Sequence, residues 1–109
     1  MHEYTILKAT IDEVLSGTTL GFLYEVVQPE VFGSAYAVYG SDEPILRLVW
    51  DGKDGWGFVE KRVEAGWQSD NCLFLKGSLD ASTLARFHAH VLDLLPSTFV
   101  QPGDIGNTA

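Results

Sequence analysis

The chain has 109 residues, 46% of them hydrophobic and 20% charged, which is the size and composition of one ordinary globular domain. Fifteen acidic against seven basic residues give a net charge of −8, which argues against nucleic acid and anionic membranes, because both need positive charge to replace their counterions. No run approaches the roughly 18 apolar residues of a membrane span, and a single cysteine excludes an intramolecular disulfide.

In chain order, Met1-His2-Glu3-Tyr4 lacks the basic-then-apolar pattern of a signal peptide, so a cytoplasmic address is expected. Tyr4-Thr5-Ile6-Leu7-Lys8 reads as a short strand. Thr10 and Glu13 then have the spacing of a capping box, followed by the apolar Ile11, Val14 and Leu15, with Gly17 as a stop. That pattern predicts a short N-terminal helix of about two turns. Leu20 to Tyr39 is rich in β-branched and aromatic residues, broken at Pro29 and Gly33. Leu20, Phe22, Tyr24 and Val26 share one side of a strand, and Ala35–Tyr39 forms another, closed by Gly40, Ser41 and Asp42.

The clearest signal is a hairpin. Ile45–Trp50 and Trp56–Arg62 flank Asp51-Gly52-Lys53-Asp54-Gly55, whose two Asp-Gly pairs suit a tight turn. Trp50 and Trp56 bracket the turn in position to pair across it. Cys72–Leu75 reads as a last strand. Asp80 is a helix N-cap, and the helix runs to the residue before Pro96. Its stripe of Ala81, Leu84, Ala85, His88, Val91, Leu92 and Leu95 places Arg86, His90 and Asp93 on the opposite side. These elements predict an α+β domain over residues 1–96. In it an antiparallel sheet of about five or six strands is packed on one face by the C-terminal helix, and residues 97–109 form a loosely held tail.

The search for chemistry is mostly negative. His88, in the middle of the apolar stripe, is either a core histidine or a base or anchor in a pocket between sheet and helix. His88 and His90, two residues apart on a helix, point about 200° away from each other and cannot share a metal. Cys72 lies in an apolar strand that reads as core, so a Cys72–His88 pair is a weak nucleophile signal. Asp51-Gly-Lys-Asp54-Gly lacks the alternating ligands of a calcium loop. No phosphate loop, nucleophile elbow or dinucleotide fingerprint is present. The chain is therefore expected to be no enzyme and to need no cofactor.

What remains is surface. The acidic balance is either charge that keeps the chain dispersed or a face that meets a basic partner. Likewise, the aromatics are either packing or an interface, where tryptophan and tyrosine dominate binding energy. The candidate patch joins Trp50, Trp56 and Trp67 with Asp51, Asp54, Asp42 and Glu43.

The stretch Leu48-Val49-Trp50-Asp51-Gly52-Lys53-Asp54-Gly55-Trp56, in a short acidic α+β chain, resembles the small bacterial immunity proteins of polymorphic and contact-dependent toxin systems. The resemblance covers one hairpin and the general character of the chain. It implies a cytoplasmic protein that binds and blocks a cognate toxin, often a basic nuclease, with acidic side chains standing where the toxin expects phosphate. The alternatives are a small-ligand-binding or accessory module with a pocket near His88, and a homodimeric structural subunit.

Overall fold

A computed structural model describes residues 2–69, 74–75 and 79–95. The elements are α1 (His2–Leu15), β1 (Gly21–Gln28), β2 (Ser34–Gly40), β3 (Pro44–Asp51), β4 (Trp56–Val63), β5 (Gly66–Ser69), β6 (Phe74–Leu75) and α2 (Ala81–Leu94). β1 to β5 form an antiparallel meander in sequence order, and β6 pairs with β4. The expected α+β architecture holds, with both helices on one face of the sheet. The reading of 97–109 as a loose tail, and Cys72 itself, lie outside the described residues.

The first element differs from the expectation. Tyr4–Lys8 is the start of a 14-residue helix and not a strand. The reason is the spacing of its buried side chains: Tyr4, Leu7, Ile11, Val14 and Leu15 fall on one helical stripe. Thr10 is consequently inside the helix, where its hydroxyl donates to the Ile6 carbonyl at 3.0 Å. That i−4 bond replaces the expected capping role. The helix does end where Gly17 suggested. Thr18 closes it, its backbone N–H and its hydroxyl each donating to the Leu15 carbonyl at 2.9 Å.

α2 begins as expected. The Asp80 carboxylate accepts from the Thr83 N–H at 2.8 Å, which also holds that carboxyl below its ordinary pKa. Its buried stripe is rotated from the expected one. Thr83, Phe87, Val91 and Leu95 point inward, Leu92 and Ala85 are exposed, and His88 lies at the flank with its side chain 37% exposed. Phe87 sets this rotation because it is the bulkiest side chain of the helix. It meets Phe74 edge-on, the rings 4.7 Å apart at 85°. His90 is half-buried, with its ring 6.1 Å from Phe74, and so is not on a solvent face.

The sheet contributes Ala35, Ala37, Tyr39, Leu46, Leu48, Trp50 and Val59 to this core. A bulge between Phe22 and Tyr24 sends those two side chains to opposite faces, whereas strict alternation expects them together. Phe22 pairs with Tyr39 on the helix side, their rings 5.8 Å apart, and Tyr24 pairs with Val38 on the open side. A two-residue turn at Glu64-Ala65 adds β5, which the sequence reading missed.

Tyr39 is fully buried, and its hydroxyl finds no hydrogen-bond partner among the described residues. A desolvated, unpaired hydroxyl is a net cost, so Tyr39→Phe is expected to raise stability by about 1 kcal/mol in urea unfolding. Burial raises the pKa of Tyr39 well above the ordinary tyrosine value. It does the same to Tyr4, where the hydrogen bond to Glu25 adds to the effect. Both groups are raised in the folded state, so their contribution is complete below about pH 10 and lost as pH climbs beyond it. Urea midpoints measured from about pH 8 to 11 should fall above pH 10, and fall less in Tyr39→Phe.

Candidate functional site

One face of the sheet carries both helices, no described element covers the other, and cross-strand register fixes what it displays. Val26, Tyr36, Val49 and Phe58 are successive partners across β1 to β4 and form one apolar row, all four half-buried. Beside it runs the row Tyr24, Val38, Arg47, Glu60 and Ser69. Arg47 Nε and Nη2 donate to Glu60 Oε1 at 2.7 and 2.6 Å. The Arg47 guanidinium also stacks 4.6 Å from the Trp67 ring and 5.4 Å from Tyr36, and Arg62 lies 5.6 Å from Trp67 on its own side.

Towards the β3–β4 turn the apolar row opens into a groove of about 490 Å³ whose lining includes Val31, Phe32, Tyr36, Val49, Phe58 and Asp51. Its wall is the β1–β2 turn, Pro29–Gly33, and Phe32 is the most exposed large hydrophobic among the described residues, at 69%. Phe32 has φ 56° and Gly33 φ 76°. A bulky aromatic in the left-handed region is strained, and such residues persist only where the surroundings hold them. What holds it is Gly52. A Cβ there would stand 1.9 Å from the Phe32 carbonyl oxygen, and the Gly52 N–H donates to Ser34 Oγ at 3.0 Å. The two turns are locked together backbone to backbone, and the Phe32 ring is turned out to solvent.

The groove's lining carries one carboxylate, Asp51, and one cation, Lys53, and the sequence neighbours Glu30 and Asp54 are exposed. Asp51 Oδ1 accepts from the N–H groups of Lys53 and Asp54 at 3.0 and 2.9 Å, so this carboxylate also builds the turn.

The residues expected to form one patch are thus distributed over four places. Asp51, Asp54 and Trp56 meet at the groove end. Asp42 and Glu43 are exposed in the β2–β3 turn, at the other end of β3, about 25 Å away by strand rise. Trp67 is half-buried against Arg47 and Arg62. Trp50 is 5% exposed and belongs to the core beneath the helices, although it also borders the floor of the groove. It is opposite Gly57, whose missing side chain leaves room for its ring, and Trp56 is opposite Asp51. The two tryptophans do not pair across the turn, because adjacent register positions face opposite sides of a sheet. Phe32, which the sequence offers only as one of its surplus aromatics, and Val31 lie outside the expected patch. Their signal is a left-handed turn made without asparagine, which sequence pattern does not reveal.

Two other clusters bring titratable side chains together. Glu25 accepts from the Tyr4 hydroxyl and the Lys8 ammonium, both at 2.7 Å. These bonds, Lys8 foremost, hold its pKa below the ordinary range, while Tyr4 is pushed up; a weakened base beside a weakened acid is the reverse of a poised catalytic pair. His88 lines a shallow cleft between α1 and α2, with Thr10, Glu13, Ala81, Leu84 and Ala85, its Nε2 3.9 Å from Glu13. This cleft is between the helices and not between sheet and helix. Among the described residues no three metal-ligating side chains converge, and no helix is long and apolar enough to cross a membrane. Comparison with family models, curated proteins and solved structures returned no match.

Proposed function

We propose that this chain is a non-catalytic protein-binding domain that docks a basic protein on the groove lined by Phe32, with the exposed Asp54 and Glu30 as candidate charge contacts. The observation that carries the reading is Phe32: an exposed aromatic, held in a costly backbone conformation, in the lining of a largely apolar groove that also takes in Asp51 and Lys53. An aromatic anchor ringed by charge is the usual makeup of an interface centre. The net charge of −8 favours a positively charged partner and would speed its encounter. The finer reading, supported by the resemblance of the hairpin and the acidity of the chain, is an immunity-type inhibitor acting in the cytoplasm on a cognate bacterial toxin.

A pull-down from lysate of the source organism, at low and high salt, compares wild type with Phe32→Ser and Asp54→Lys. Asp54 is the better charge probe, because Asp51 also shapes the turn. One basic protein retained near stoichiometry by wild type, released by salt and lost to both variants is the expected result. Equal retention by all three proteins would remove the groove from the account.

A further inference from the structure

A second surface lies along the sheet edge and borders the groove at Gln28 and Val31. Among the described residues β1 is an edge of the sheet: its eight residues pair with β2 on one side only. Proteins ordinarily protect such an edge with lysine, proline or a short strand. β1, Gly-Phe-Leu-Tyr-Glu-Val-Val-Gln, has neither residue and is as long as any strand here. Its side chains are exposed on both faces of the sheet: Phe22 (48%) and Val27 (43%) on the helix side, Tyr24 (48%) on the open side, and Leu23 (38%) at the bulge. With Val31 they present on the order of 400 Å² of apolar surface, the size at which exposed patches mark contact sites.

We infer that β1 pairs antiparallel with β1 of a second copy of this chain, joining the two sheets across a two-fold axis. Charge at the seam selects this occupant. Glu25 is the strand's one ionic group, and it is already bonded to Tyr4 and Lys8 of its own α1. Two copies, each at −8, therefore meet along a seam that has no unmatched charge. A basic partner gains nothing there. An axis near Glu25–Val26 places Tyr24 and Val26 beside the partner copy's open-face residues, and Val27 beside its helix-side ones. The apolar row Val26–Tyr36–Val49–Phe58 then continues into its copy. The contact is smaller than the roughly 800 Å² per subunit of a standard interface, so the dimer should be concentration-dependent, in the micromolar range.

Sedimentation equilibrium from about 5 to 200 µM tests this, a range set by that expected affinity. Wild type should move from the 12.0 kDa chain mass towards twice that value. Leu23→Glu with Val27→Glu, and separately Tyr24→Asp, alter exposed positions and should weaken association at least 100-fold, with far-UV circular dichroism unchanged. Wild type at the monomer mass throughout would overturn the inference, as would a dimer that survives both sets of substitutions.

Discussion

Truncation of Phe87 to alanine is expected to cost about 3–5 kcal/mol, enough to unfold much of the population of a marginal domain. Phe87 is fully buried and is the side chain through which α2 reaches the sheet, edge-on to Phe74. Phe74 belongs to the two-residue β6, so one substitution loosens the helix, the short strand and the last part of the core together. Leu92→Ala, one turn away but 46% exposed, should change stability by well under 1 kcal/mol. Urea unfolding of the two variants checks the rotation of α2 directly. Were the helix turned as its Ala81–Leu84–Ala85–His88 spacing suggests, the order would invert.

Gly52→Ala is expected to lower stability by about 3 kcal/mol, because the new methyl would overlap a carbonyl oxygen and only backbone movement relieves it. The oxygen belongs to Phe32, so relief means parting the β1–β2 turn from the hairpin. The Gly52–Ser34 hydrogen bond is lost in the same movement. Partner capture should fall along with stability. Ser34→Ala separates the two effects, since it removes the hydrogen bond without the overlap and should cost about 1 kcal/mol. Thermal melts of both variants, with capture measured well below their midpoints, read the outcome.

The hairpin was legible because Asp-Gly turns and alternating apolar residues act locally, and β3 and β4 follow the reading to within a residue or two. α2 was legible in extent, since Asp80 and Pro96 are local signals, but not in rotation. Rotation is decided by which side chain the sheet accepts, and Phe87 outweighed a regular stripe of smaller residues. α1 was half-read because Thr5, Ile6 and Thr10 are β-branched, and burial of Tyr4 and Leu7 against the sheet overrides that preference. The interaction site was legible in part. The acidic turn at Asp51 and Asp54 is at the groove, but Trp50 is core and Trp67 is stacked between arginines, because composition does not say which face of a strand is covered. Asp42 and Glu43 failed to join the patch for a simpler reason: a single strand separates the two turns. Phe32 was legible only as one of the surplus aromatics, its role depending on a contact between two turns 20 residues apart.

The measurement that tests the groove most directly is amide hydrogen exchange of the chain alone and with the captured partner. Slowed exchange over residues 30–36 and 49–58, with α1 and α2 unchanged, is the predicted pattern. Protection confined to the two helices around Glu13 and His88 would contradict the account and move the binding face to the other side of the sheet.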